Sequence, residues 1–503
     1  MMEKKGFDTL KYLEAQSSEI LRRVDNFNKL YLEFGGKICD DGHAARILPG
    51  YDPNTKVKML QMVKEKAEII FCVSAKDIEQ GSINGNFELT YETMTLKTIN
   101  DLKSFGLDVS AVVINRFSGE KRVLDFKRYL ENIKVKTYLQ KEIQGYPANV
   151  EIIVSEEGYG QNPYVETTKP LVIVIGAAPG SGKMSFCLSQ LYHDSKRGIN
   201  SGFAKFETFP IWDLPIDHPV NVGYEAATAD IGDVNMVDPF HLKEYNVSAI
   251  NYNRDIENFP ILKSILRKLG NDVYNSPTDM GVSKTRQGII DDFVVREAAK
   301  QEIIRRYFRY KKENFLGIVE KEVVDRAEKL MQKLGLSETN RRVVLAARKC
   351  CKECYAEEKG DAGICRSSAI QLQDGEIITG KNSPLLHAES STIINALKYL
   401  ALIPDDILLL PEEVVKGINE DKKRFINPSN PNLNVSEILI ALSVSSTINP
   451  AAKKCMEKIN LLAGCEMHTT HLPSKGDEDG LRNLGINITT DSETTSMLYL
   501  RRF

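Results

Sequence analysis

Long apolar runs are missing from this chain of 503 residues. Nothing approaches the roughly 18–20 consecutive apolar residues that span a bilayer, and the N-terminal string MMEKKGFDTLKYLEAQ has no apolar core of the signal-peptide kind. Membrane insertion and export are therefore not expected, and the cytoplasm is the expected location. An excess of one charge is missing too. The 66 Lys and Arg against 69 Asp and Glu leave a net charge of −3, which gives no overall attraction to phosphate backbones or anionic lipid. Neither a nucleic acid nor a membrane is expected as a partner. Cysteine is sparse, and the nine residues at 39, 72, 187, 350, 351, 354, 365, 455 and 465 do not form the dense framework of a secreted disulfide scaffold. They are expected as reduced thiols. Repeats and low-complexity tracts are absent. What the chain does have is bulk: 42% hydrophobic and 27% charged residues can build ordinary cores, and at roughly 100–200 residues per domain the length implies two to four domains.

The first 165 residues alternate short apolar, β-prone runs with amphipathic stretches. KLYLEF (29–34), EIIFCVS (68–74), SAVVIN (110–115) and NVEIIVS (149–155) read as strands, and the segments between them carry apolar residues at helical spacing. Such alternation predicts a parallel α/β sheet. The turn-rich string EEGYGQNPYVETTKP at 156–170 marks a boundary. A second α/β unit opens with LVIVI (171–175), continues through GFAKFET (202–208) and a long loop rich in Pro, Asp and His, and becomes helical from about 255 to 334. A helix over 340–354 follows. Then come a hairpin, a helix, a strand (437–446), a second helix, the strand-like CEMHTTH, a short helix and a final strand, INITTD. The expected architecture is multi-domain α/β: a Rossmann-like domain at 1–165, a P-loop-like domain with a helical extension at 166–335, and a third α/β domain at 336–503.

Residues 173–185 read IVIGAAPGSGKMS. A buried strand, a Gly-rich turn and a lysine opening a helix form the context in which backbone N–H groups and a helix N-terminus cradle phosphate. Gly176, Gly180, Ser181, Gly182, Lys183 and Ser185 are the candidate phosphate-binding residues. The position after the lysine, where a hydroxyl would ligate magnesium, is Met184, and Ser185 comes one residue late. A tightly packed strand-to-helix turn is the plainer alternative. The helix and the strand GFAKFET resemble the corresponding piece of the P-loop ATPases related to dethiobiotin synthetase. That resemblance implies a phosphate-facing role for Lys205. Downstream, Asp213, Asp217, His218, Glu225, Asp230, Asp233 and Asp238 crowd one loop, either as a solvated acidic surface or as a source of magnesium ligands and a base. Asp217-His218-Pro219 is similar to the Asp-His-Pro turn of uridine-kinase-like enzymes.

Residues 368–402 read SAIQLQDGEIITGKNSPLLHAESSTIINALKYLAL, a hairpin leading to His387-Ala388-Glu389 at a helix start. This resembles the core of the cytidine-deaminase-like fold, which implies a zinc-binding role for His387 and a proton-shuttling role for Glu389. The matching Pro-Cys-x-x-Cys is expected at the helix beginning Asn449-Pro450. There the two cysteine positions hold Ala451 and Lys454, so zinc-activated water is not available by that route. The fold is carried over and the deaminase activity is not. His387 is either a helix-start or core histidine or a binding or catalytic group acting without zinc.

Cys350, Cys351, Cys354 and Cys365 include one Cys-x-x-Cys but no second close pair, and buried thiols are the expectation. Cys465-x-x-His468-x-x-His471 has metal-like spacing, but on a strand residues three apart face opposite sides. The basic residues Arg305, Arg306, Arg309, Lys311 and Lys312, with Tyr307 and Tyr310, read as a solvated helix face.

Taken together, KLYLEFGGK, HAARILPGYDP, VIGAAPGSGKMS, ETFPIWDLPIDHPVN, YEAATADIGDVNMVDPFH, NSPTDMGV, LLHAES and TINPAAKKC resemble a widespread bacterial family of about this length, catalogued as a domain of unknown function. Some members carry the automatic label "ATP-dependent zinc protease", but the chain has no His-Glu-x-x-His, and His468-Thr469-Thr470-His471 lacks the Glu that would act as base. The expected function is binding of ATP or another phosphate-containing ligand at the Gly-rich turn, with Mg2+ and a small-molecule substrate. Phosphoryl transfer or acceptor activation would use Lys183, Asp217, Asp230, His387 and Glu389. Zinc is not expected; a homo-oligomer is allowed. A non-catalytic metabolite sensor or scaffold is the alternative.

Overall fold

A computed structural model describes residues 5–84, 89–361, 363–426 and 432–492. The chain divides into two compact units, Lys4–Ala299 and Lys300–Phe503.

The first unit is built on one seven-stranded sheet. Its strands are β1 (Lys29–Phe34), β2 (Ala67–Ser74), β3 (Val109–Phe117), β4 (Thr137–Lys141), β5 (Leu171–Gly176), β6 (Ser201–Phe206) and β7 (Gly281–Val282), in the order β7-β6-β1-β5-β2-β3-β4. Every neighbouring pair is parallel. A parallel sheet is covered on both faces, so its strands are apolar at successive positions rather than alternately. β5 follows this rule. Leu171, Ile173 and Ile175 join the core on one face with Leu30, Leu32, Phe71 and Ile114, while Val172 and Val174 join the other with Tyr31, Ile70, Cys72 and Val113.

The helices sort by face. Thr55–Val63 and Lys121–Asn132, which carry the chain from β1 towards β4, pack on the first face through Val57, Leu60, Val123 and Leu130. The helices after β5 and β6, α1 (Lys183–Lys196) and α2 (Asn253–Lys268), pack on the second through Phe186, Leu188, Phe259 and Leu262. The chain therefore leaves β2 in one direction and β5 in the other, and a crevice opens between their carboxyl ends.

Two expectations are corrected here. Residues 1–165 and 166–335 do not form separate sheets, because β5 inserts between β1 and β2, and β6 pairs with the other edge of β1. The segment 149–155 is not a strand. Asn149 caps a short helix, Val150–Ile153, by accepting from the Ile152 amide, and only Ile153 of that helix is buried. The last strand of the run is β4 instead.

The second unit carries a mixed sheet of β8 (Ser367–Gln371), β9 (Ile377–Lys381), β10 (Glu466–Thr469) and β11 (Asn487–Thr490), in the order β9-β8-β10-β11. β8 is antiparallel to β9 and β10, and β10 is parallel to β11. The expected hairpin is β8–β9, turning at Gly375 with φ +91°. Four helices matter below: α3 (Arg342–Ala356), α4 (Ala388–Ala401), α5 (Val435–Ser445) and α6 (Lys475–Asn483). The expected strand at 437–446 is α5. Asn434 and Glu437 cap its start reciprocally, and Val435, Ile438, Ala441, Leu442 and Ser445 are buried at helical spacing. No described helix is long and apolar enough to cross a membrane.

The guanidinium of Arg341 clamps the sheet from the residue before α3. It is 1% exposed. Nε donates to Thr489 Oγ1 at 2.9 Å, Nη2 donates to the carbonyls of Met467 at 3.0 Å and Asn487 at 2.9 Å, and Nη1 pairs with Glu466. Removing it takes one donor from the Glu466 carboxylate and one from each of two carbonyls. Arg341→Met is expected to cost about 3 kcal/mol, the lower end of the range for a broken buried pair, because Glu466 keeps Arg305 at 3.1 Å. Hydrogen exchange in the full chain would then show protection of the β10 and β11 amides falling by about 100-fold; a change under threefold would refute the clamp.

Candidate functional site

Two clusters of chemically capable side chains stand out, one in each unit. In the first unit the Gly-rich turn lies between β5 and α1, at the crevice between β5 and β2. Gly180 and Gly182 adopt φ of +78° and +85°, a region costly for residues with a Cβ. Space is equally restrictive: a Cβ on Gly182 would lie 2.6 Å from Asn115 Cγ, and one on Gly176 would lie 2.2 Å from Ser181 Oγ. Asn115 Nδ2 donates to the Ser181 carbonyl at 2.8 Å, which pins the turn to β3. No side chain caps the first turn of α1. Ser181 Oγ is buried without a hydrogen-bond partner.

Charged groups gather at the same end of the sheet. Glu33, at the end of β1, is in register with Lys205 of β6 on one side and Val174 of β5 on the other. Lys183 Nζ lies 3.8 Å from Glu33 Oε1, and Glu33 Oε2 has no partner. Lys205 Nζ donates to Asp255 Oδ1, in the first turn of α2, at 2.6 Å. Lys205 is held above its ordinary value because Asp255, Glu207 and Glu33 together outweigh its burial. Burial pushes Glu207 up to about 8, with Asp255 repulsion adding and Lys205 opposing.

Gly176, Gly180, Ser181, Gly182, Lys183 and Lys205 thus share one end of the sheet. Ser185 is half-buried on α1, and Met184 packs against the apolar core of the α1 face. Asp217 and Asp230 are exposed on either side of helix Pro219–Ala227. Several other acids of that loop hold structure: Asp233 pairs with Arg254 at 2.5 Å and Asp238 caps helix Pro239–Tyr245. His218 is buried, accepts from the Val220 amide and meets Asp292 Oδ1 at 2.9 Å. The acids near the lysines are Glu207, which the strand GFAKFET carries with Lys205, and Glu33 and Asp255, which lie outside the expected set. Their signal was position, because Glu33 and Glu207 lie at the carboxyl ends of apolar strands, where ligands of α/β sheets bind.

The second cluster begins at His387, the N-cap residue of α4, with φ −67° and ψ 160°. Its Nδ1 lies 2.7 Å from Asp477 Oδ2 in the first turn of α6. Asp477 also accepts from Ser474 Oγ at 2.6 Å and the Val435 amide at 2.8 Å. Glu389 Oε1 accepts from Thr469 Oγ1 at 2.8 Å and lies 3.2 Å from His471 Nε2, while Glu389 Oε2 has no partner. All four titratable groups are buried. Burial pushes Glu389 up to about 7, with Asp477 repulsion adding. His471 is held well below its ordinary value by burial and by Arg366.

His387 and Glu389 lie in one cluster; Asp477 and His471 join them from outside the expected set. The family pattern predicts the partner helix at 450. The partner carboxylate comes instead from α6, the helix after the next strand of the sheet, which Ser474 caps by accepting from the Asp477 amide. Ala452 and Cys455 of helix Pro450–Met456 fill the core instead. Cys465 is core and His468 is engaged with Thr489 and Asp491, so Cys465, His468 and His471 do not form one site. All nine cysteines are free thiols. The basic helix face pairs within the chain, for example Arg305 with Glu302 and Glu466 and Lys311 with Glu338.

Glu207 supports a pH prediction. An acid with a raised folded value contributes stability that is full below its unfolded value, 4.5, and is lost as pH rises to about 8. Thermal midpoints of Glu207→Gln relative to the parent should therefore rise from about pH 5 to about pH 8 and level off above. Parallel profiles would show that Glu207 is ionised throughout.

Residues 5–335 match the family model "Domain of unknown function DUF1846, N-terminal", and residues 339–499 match "Domain of unknown function DUF1846, C-terminal". A UPF0371 protein of Clostridium botulinum (strain Eklund 17B / Type B) is 50% identical over 493 residues, covering 97% of each chain. One from Clostridium tetani (strain Massachusetts / E88) is 48% identical over 496 residues, covering 98% of each.

Proposed function

For a chain that belongs to the DUF1846 family, matching both its N- and C-terminal models, we propose that the first unit binds ATP or another phosphorylated small molecule at the Gly180–Lys183 turn. We further propose that it transfers the phosphoryl group to a small acceptor. The observation that carries this reading is the conjunction of an uncapped helix start, two left-handed glycines and a buried, unpartnered Ser181 Oγ at the crevice between β5 and β2. Anions bind where unsatisfied amides and a helix dipole converge. The finer reading of the turn as P-loop-like rests on these features. The β9-β8-β10-β11 order, with His387 opening α4, similarly supports a deaminase-like second unit.

In this reading the amides of the turn and Lys183 hold the terminal phosphates, and Lys205 adds charge from β6. Glu207, titrating near neutral pH, takes the proton of the acceptor hydroxyl as the acceptor oxygen bonds to phosphorus and the bond to the leaving nucleoside diphosphate breaks. Mg2+ arriving with the nucleotide would neutralise phosphate charge, and Glu33 and Asp255 would be the carboxylates to hold it.

Lys183→Ala is expected to weaken ATP or pyrophosphate binding by about 10- to 100-fold, about 1.4–2.8 kcal/mol, in calorimetry at fixed salt. Unchanged affinity sinks the proposal. A second reading, a sensor that binds without turnover, is favoured by Met184, whose packing leaves no hydroxyl at the magnesium position. Glu207→Gln separates the two. It abolishes turnover but not binding in a transferase; a sensor shows no turnover to lose.

A further inference from the structure

The cluster in the second unit supports an inference that does not rest on the phosphate reading. A thiolate-bound zinc, which the deaminase resemblance implies, does not fit, because no cysteine belongs to this cluster among the described residues. What is present is one imidazole and two carboxylates. We propose that His387, Glu389 and Asp477 hold a single first-row divalent metal ion through nitrogen and oxygen ligands alone.

Convergence is the first argument. One ligand atom from each residue lies within 4.8 Å of the others; ligands about 2.0–2.2 Å from one tetrahedral ion stand about 3.4 Å apart, so rotamer adjustments that close the widest gap by about an ångström complete the site. Local backbone geometry explains how residues two apart can share a side. On a continuous helix His387 and Glu389 would diverge, but His387 is the extended N-cap, and only Glu389 lies within α4.

Burial is the second. Glu389 and Asp477 are 0% exposed, and two carboxylates removed from water call for a countercharge. Asp477 is satisfied by His387, Ser474 and the Val435 amide. Glu389 is satisfied on Oε1 only. Its Oε2, sealed from solvent and without a hydrogen-bond partner, is a donor atom for which no described residue supplies a match.

Support around the ligands is the third. His471 Nε2 and Thr469 Oγ1 fix Glu389, and Ser474 and Val435 fix Asp477. Metal sites surround their ligands with such hydrogen bonds, which set orientation before the ion arrives. Borderline donors of this kind suit Zn2+, Co2+, Fe2+ or Mn2+ rather than thiol-seeking Cu+, and three protein ligands leave a coordination position open.

The test uses the full chain, stripped with a chelator and titrated with Co2+. One Co2+ per chain is expected, with visible d–d absorption, no near-ultraviolet thiolate-to-cobalt charge-transfer band, and displacement by Zn2+. Glu389→Gln and Asp477→Asn should each weaken binding tenfold or more, whereas the double variant Cys351→Ser/Cys354→Ser should not. Asp477 also caps α5, so circular dichroism must show that its variant is folded. If it is not, Glu389→Gln and His387→Gln decide the matter. The proposal is overturned by substoichiometric Co2+, by a thiolate charge-transfer band, or by unchanged affinity in Glu389→Gln and His387→Gln.

Discussion

The parallel pairing of β5 between β1 and β2 is the constraint from which the first unit follows. A central strand covered on both faces must be apolar at every position, and Leu171 to Ile175 meets that demand with all five side chains buried. The same placement compels the chain to emerge from the middle of the sheet into the crevice beside β2. There is so little room that glycine is required at 182, against Asn115 of β3, and at 176, against Ser181 of the turn itself. Tight packing and a helix start that no side chain caps are therefore two results of one topology. The plainer reading of this turn, as a packing device, and the phosphate-binding reading are compatible.

Charge is used differently in the two units. At the carboxyl ends of β1 and β6, Lys183 and Lys205 face Glu33, Glu207 and Asp255 with incomplete pairing, and both Glu33 Oε2 and Ser181 Oγ lack partners. Polar groups left unsatisfied in a buried setting are costly, and a ligand that satisfies them recovers the cost. In the second unit Arg341 shows the opposite treatment. Four acceptors surround its guanidinium, which makes it a structural brace for β10 and β11. Arg305 shares Glu466 with Arg341, and Lys311 pairs separately with Glu338. Basic composition alone would have suggested an anion-binding surface there.

Legibility in the sequence varied for reasons that can be named. The strand at 171–176 and the hairpin of β8 and β9 were readable because apolar runs and an Asp374-Gly375 turn are local signals. The helix at 435–445 was not, because Ile440 and Val444 are exposed and fill in the apolar gaps that would have revealed its period. The reciprocal Asn434–Glu437 cap was the better guide. The strand-like string at 149–155 failed for a related reason: β-branched residues express a preference that tertiary context overrides.

The sequence by itself determined the family, the α/β alternation and the glycine-lysine turn, because each depends on neighbours in the chain. Tertiary structure alone decided that strands from both sides of residue 165 share one sheet. It also decided which acids stand beside the lysines, and that Asp477, 90 residues from His387, completes the second cluster. Motifs are written in consecutive residues, but carboxylates are brought to a site by strand order and helix packing, and neither leaves a mark at fixed spacing.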